Sequence, residues 1–319
     1  MKRLLFVIIL AGLAWSGHWF WSAHQLRQQT AAWFDARRTA GWEAQYGDLT
    51  VLGFPNRLDA TLTDVTLADP ATRITWQAPF LQIFRLAYKP NHLILIWPDD
   101  QTLTTATGTT RITDTGMRAS LILDGDALLR SNLESESLSF AAPSGTLALA
   151  GVTGAFTHID GPTYRLALNA TGIADSAAAL AAPNASGLSV DATVTFDQPL
   201  TKASLTGPRP HPVQIALRLA EYRLGAQSLK LSGDLTLDDQ GLATGTLSLQ
   251  ATDWPQMLTL ARASSGLPPA LFAPLEQALT LSGNLNRTDG ARDLTLRVND
   301  GAISMGMIQL GRIPPLRLP

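Results

Sequence analysis

After Lys2 and Arg3 the chain carries no charge from residue 4 to residue 21, reading LLFVIILAGLAWSGHWFW. As a helix these 18 residues extend about 27 Å at roughly 1.5 Å each, close to the hydrocarbon thickness of about 30 Å. Residues 1–21 are therefore expected to anchor the chain in a membrane. Trp15, Trp19, Phe20 and Trp21 gather at the far end, where amphipathic rings favour the headgroup layer. From 22 to 41 the pattern stays helical, with Ala23, Leu26, Thr30 and Trp33 spaced by three and four and Gly41 as a stop. This is read as a stalk helix packed on the strands that follow.

Beyond Trp42 the period changes to two. Leu188, Val190, Ala192, Val194 and Phe196 share one face; Val213, Ile215, Leu217 and Leu219 another; Leu229, Leu231, Leu235 and Leu237 a third. Their partners are mostly Thr, Ser, Asp, Arg and Lys, so the strands are apolar on one side, as in antiparallel sheets. Between 57 and 69 the apolar parity slips from Leu58, Ala60 and Leu62 to Val65 and Leu67. That slip calls for a bulge or bend near Thr63 and Asp64. The fold expected is mainly β: a curved antiparallel sheet, open half-barrel or sandwich with a few short helices and an N-terminal transmembrane helix.

Helices are expected at 254–263, capped by Asp253, at 268–278, and in the Ala-rich stretch 174–182. The Pro208-Arg209-Pro210-His211-Pro212 segment is stiff and reads as a hinge. It divides a first β-rich half, 42–207, from a second, 213–319. A nine-residue pattern beginning at Gln227 recurs at Gln277 with Gln, three Leu, Ser and Gly in common, a sign of modular growth of the sheet.

Composition sharpens the picture. With 24 basic and 26 acidic residues the chain lacks the basic field that nucleic acid requires. It has no cysteine, which removes disulfides, thiolate nucleophiles and Cys-bound zinc. Lys2 and Arg3 place the N-terminus in the cytoplasm and the bulk of the chain in the periplasm, although Arg27, Arg37 and Arg38 reduce the asymmetry. A cleaved signal peptide ending at Gly12-Leu13-Ala14 is the competing reading; the aromatic cluster beyond it favours retention.

Candidate chemistry is sparse. The histidines at 18, 24, 92, 158 and 211 stand singly, and no nucleophile elbow, phosphate loop or dinucleotide fingerprint occurs. No catalytic residue, metal or cofactor is expected. Asp99-Asp100 and Asp238-Asp239 read as turns, where Asp bonds its own backbone. Asn169-Ala-Thr171 and Asn184-Ala-Ser186 fit a glycosylation pattern relevant only to a eukaryotic secretory setting. Arg57 in Gly53-Phe54-Pro55-Asn56-Arg57 could hold a phosphate headgroup, but pairing with Asp59 or capping carbonyls is the preferred reading. Phe80, Phe84, Tyr88 and Trp97 could line a ligand groove, though large apolar side chains normally mark interiors. Phe196, Leu217, Leu229, Leu231 and Leu235 are the candidate apolar face.

The combination of GFPNR (53–57), APFLQIF (78–84), YKPNHLILIWP (88–98), TDWPQML (252–258) and LGRIPPL (310–316) resembles the uncharacterised bacterial family catalogued as domain of unknown function 2125. The resemblance spans nearly the whole chain and implies location and architecture more than activity. The general plan is also similar to AsmA-like envelope proteins, whose anchored β-structures have apolar inner faces implicated in lipid movement. The function expected is a non-enzymatic inner-membrane protein that binds or transfers lipid or another apolar ligand. A scaffold binding another envelope protein is the alternative, and a hydrolase acting on envelope polymers ranks third.

Overall fold

The computed structural model describes residues 1–174, 186–205, 207, 209–224, 227–252 and 291–317. The expected helices at 254–263 and 268–278, Asn184 and Ala185 of the second glycosylation pattern, the second copy of the repeat and all but Ala174 of the Ala-rich stretch lie outside them.

Helix α1 runs unbroken over Lys2–Thr39, so anchor and stalk are one element. Its end is built by Gly41, whose φ of 88° lets the Gly41 and Trp42 amides turn back to Arg38 O and Arg37 O. That pair of bonds is a Schellman closure, which a residue with a Cβ would strain. The half of α1 beyond Ala14 buries Trp19, Ala23, Leu26 and Phe34 against Val51, Leu58, Ala60, Leu62 and Val65. Burying each large side chain contributes roughly 1.5–3 kcal/mol.

The strands are β1 (Glu43–Gln45), β2 (Leu49–Leu52), β3 (Arg57–Asp69), β4 (Ile74–Leu86), β5 (Lys89–Ile96), β6 (Asp100–Thr105), β7 (Gly108–Thr115), β8 (Arg118–Asp124), β9 (Ala127–Ala142) and β10 (Gly145–Asp160). They continue with β11 (Thr163–Ala170), β12 (Gly172–Ala174), β13 (Ser186–Phe196), β14 (Pro212–Leu224), β15 (Gln227–Leu237), β16 (Ala243–Thr252), β17 (Ala291–Asn299), β18 (Ala302–Met305) and β19 (Ile308–Arg312). All 19 belong to one antiparallel sheet. It is curved and, among the described residues, open: there β1 and β2 pair only with β3, and β19 only with β18. Among the described residues no second sheet faces it, so the sandwich form of the expectation is not the one adopted. β13 and β14 pair from Ser186 to Phe196, and Asp197 and His211 exchange hydrogen bonds. The sheet thus runs on without a break past the Pro-rich segment.

Two irregularities set the faces. Asp64 has φ 47° and lies opposite Pro79, which has no N–H to offer, while Thr63↔Phe80 and Val65↔Ala78 keep the register on either side. The slip near Thr63 and Asp64 is therefore a bend without an inserted residue, and Leu62 and Val65 both become buried. In β14 two residues, Arg218 and Leu219, oppose one of β15, a bulge. Leu219 consequently pairs with Asp191, and Ala220 takes its place opposite Val190 and Leu231. The expectation that Leu219 continues the face of Val213, Ile215 and Leu217 is corrected: the inserted residue reverses the parity.

Candidate functional site

Strand alternation and register together sort the sheet into two chemically distinct faces. Following the cross-strand partners from β2, one row reads Val51, Ala60, Ile83, Leu95, Ala119, Leu133 and Gly154. It continues through Leu168, Val190, Ala220, Leu231, Leu249 and Leu294. Every position is apolar or glycine. At about 4.8 Å per strand the row is roughly 58 Å long. The adjacent row, on the opposite face, reads Thr50, Thr61, Gln82, Ile96, Arg118, Glu134 and Thr153. Asn169, Ser189, Glu221, Lys230, Gln250 and Asp293 complete it.

The apolar row is not uniformly sealed. Val51 and Ala60 are buried beneath α1, whereas Ile83, Leu95, Leu133, Leu168, Val190, Leu231 and Leu249 are only half-buried. Among the described residues, α1 is the one helix of more than a single turn, and it covers only the first strands. Away from this row the face is tighter: Tyr164 stacks on Phe156, beside Phe196, and Leu235, Leu247 and Leu296 are buried together. Phe196, Leu217, Leu229, Leu231 and Leu235 all lie on the apolar face. Tyr222 joins them opposite Leu229, its phenol pKa pushed up by burial.

The polar face is laced by cross-strand ion pairs: Arg118 with Glu134, Arg165 with Asp191 and Lys230 with Glu221. Hydrogen bonding from Arg165 holds the Asp191 carboxyl below its ordinary range, and Arg111 does the same for Asp100. A depression of about 670 Å³ lies over the middle strands, lined by Arg118, Ser120 and Glu134 of the polar face together with Ala119, Leu133 and Leu168 of the apolar row. It exists because small side chains stand in the middle strands.

Arg57 pairs with Asp59 at 3.0 Å and lies over the Phe84 ring at 5.0 Å. Phe80 and Phe84 sit opposite Thr63 and Asp59, Tyr88 occupies the β4–β5 turn, and Trp97 follows β5 with its N–H on Met117 O. These aromatic residues are spread over both strands and turns and do not converge on one groove. Asp238 accepts bonds from the Gln240 and Leu242 amides. Asp114 is buried, bonded to Gln101 Nε2 and the Met117 amide, with Trp76 Nε1 donating to the same Gln101. Burial pushes the Asp114 carboxyl up. Among the described residues no cluster of His, Cys, Asp and Glu could hold a metal ion.

The end of the sheet beside the anchor is distinctive. The Trp15 indole donates to Pro55 O at 3.0 Å and Trp19 to Arg57 O at 2.7 Å. Phe54 stacks on Phe20 and meets Trp19 edge-on. The Ala87 amide donates to Asn56 O, so the 53–57 and 87–88 turns form one tip against α1. Gly53 is required here: at φ 100° an added Cβ would lie 2.8 Å from Arg57 Cβ.

With this geometry the sequence pattern of a bacterial family can be placed on the fold. The chain belongs to DUF2125, a family of uncharacterised proteins conserved in bacteria, matched over residues 19–314. The match takes in the stalk half of α1 and the whole described sheet. No curated protein and no solved structure matches the chain significantly.

One residue escaped the sequence reading. Arg85 shares the parity of Ile83 and lies on the apolar face between Leu58 and Leu93. The row that holds it runs Leu58, Arg85, Leu93, Leu121, Ser131, Phe156, Leu166. Its Nε is buried without a hydrogen-bond partner among the described residues, and burial pushes its guanidinium pKa down. The signal was present in the sequence, as an Arg at an apolar-parity position of Gln82-Ile83-Phe84-Arg85-Leu86.

Proposed function

We propose that this protein is a non-enzymatic, membrane-anchored periplasmic protein whose apolar sheet face binds lipid acyl chains and conducts them to or from the membrane. The observation that carries the reading is the apolar row from Val51 to Leu294, half-buried along its middle and starting under the helix that is long and apolar enough to cross a membrane. Aliphatic strand faces bind without directional chemistry, at roughly 25 cal/mol per Å² removed from water. They need no catalytic residue.

The tip couples the face to the bilayer. Residues 2–14 of α1 are exposed and span about 20 Å, short of the roughly 30 Å needed to cross the hydrocarbon. The missing length is the Trp15–Trp21 turns, against which the tip packs, so the tip enters the outer leaflet by about 10 Å. Its surface suits that place: Leu52 is 68% exposed, Phe54 52% and Tyr88 57%. Its backbone is satisfied by the Trp15 and Trp19 indoles, as a low-dielectric setting demands. The next turns at the same end, Asp124-Gly125-Asp126 and Asp160-Gly161, carry the aspartates usual in wet turns.

The test is photo-crosslinking of the full chain in native membranes, with benzoylphenylalanine at 133, 168 or 231 and, as controls, at 134, 169 or 230. Lipid adducts at the first set and not the second are expected. Protein adducts without lipid at 133, 168 and 231 would reject lipid binding and favour the scaffold reading.

A further inference from the structure

We infer that Arg85 is the binding site for the anionic headgroup, phosphate or carboxylate, of a lipid whose tails lie along the apolar face, a step that rests on the reading above. Among the described residues Arg85 has no carboxylate within ion-pair distance, although Arg57, Arg111, Arg118 and Arg165 each have one. Those four point to the polar face, where water also screens them. Arg85 alone of this group is turned to the apolar face, between Leu58 and Leu93. A cation held in that setting with an unmade Nε–H bond is costly unless something else completes it. A carboxylate or phosphate does so through the forked geometry of guanidinium.

Its height fits the same ligand. Arg85 pairs with Leu58, the second residue of β3 and three residues on from Pro55 in the tip turn, a separation of at most about 10 Å at strand spacing. If the tip enters the leaflet by that depth, Arg85 stands at the headgroup layer. The path beyond it, through Leu93 and Leu121 to Phe156, is apolar apart from Ser131. A headgroup at Arg85 would therefore leave its chains on the face that receives them.

The experiment uses the full chain in a neutral maltoside detergent, titrated with short-chain phosphatidylglycerol, with phosphatidylcholine of the same chains, and with inorganic phosphate. Binding is read from intrinsic tryptophan fluorescence, and melting temperature is recorded for each variant. Wild type should bind the anionic lipid at least several-fold more tightly than the zwitterionic one. Arg85→Met should abolish that preference while keeping or raising the melting temperature, and Arg85→Lys should retain part of the preference. An unchanged preference in Arg85→Met would overturn the inference, as would a large loss of stability, which would mark Arg85 as structural. Inorganic phosphate binding as well as the lipid would also overturn it, in favour of a soluble anion. Equal binding of both lipids rejects the headgroup site and leaves the apolar face standing; binding of neither rejects both.

Discussion

Leu247 and Leu249 are the same residue type on the same face of the same strand, two positions apart, and the open-face reading assigns them opposite roles. Leu247 is 4% exposed and packs with Leu235, Leu296 and Val298. Leu249 is half-buried, between Leu231 and Leu294 on the long row. Leu247→Ala removes buried methyl groups from a place that cannot collapse, at a cost of about 2–5 kcal/mol. Leu249→Ala forfeits only part of that burial, about 1–2 kcal/mol. For a chain of 319 residues the corresponding falls in melting temperature are roughly 3–8 °C and 1.5–3 °C. Lipid occupancy should rank the other way: benzoylphenylalanine at 249 should capture lipid in membranes and at 247 little. Thermal melting of both alanine variants in the same detergent, beside adduct mass spectrometry, gives the comparison. Equal thermal losses with no lipid at 249 would mean the row is sealed core and the acyl-binding reasoning fails.

Because the chain has no cysteine, single Cys labels can report depth: an environment-sensitive dye at Leu52 or Tyr88 should be quenched by shallow lipid-borne quenchers and one at Asp160 by aqueous iodide. Equal iodide quenching at all three would place the tip in water. Gly53→Ala should destabilise the tip by about 1–3 kcal/mol through its left-handed backbone and the contact with Arg57, seen as faster proteolysis near the 53–57 turn; an unchanged pattern would refute this. Asp114, raised by burial, contributes stability when protonated and loses it as pH rises through its folded pKa. Wild type should therefore gain melting temperature relative to Asp114→Asn as pH falls from neutral into the upper carboxylate range, and a constant difference would contradict the assignment. Trp19→Phe should leave the Arg57 carbonyl without its indole donor and cost about 1–3 kcal/mol in thermal melting.

Much of this protein is legible in its sequence because both of its signals are local. An uncharged run of residues and a period of two are written residue by residue, and the helix and the one-faced strands follow from steric preference and burial alone. The slip at Thr63 and Asp64 was readable for the same reason, since a bend must move the apolar positions that flank it. Local pattern could not show the bulge at Arg218 and Leu219, because a bulge exists only relative to a partner strand, and it hands Leu219's place to Ala220. Nor could it show that one row runs unbroken from Val51 to Leu294, because register is a relation among strands distant in sequence. The pairing of Arg57 with Asp59 was readable from their spacing of two, whereas the tertiary structure alone decided that, among the described residues, no carboxylate reaches Arg85 on the apolar face. In sequence Arg57 has Asp59 two positions on and Arg85 has only aromatic and aliphatic neighbours, but burial and the charges on adjacent strands are set by the pairing, which separates a screened charge from a desolvated one.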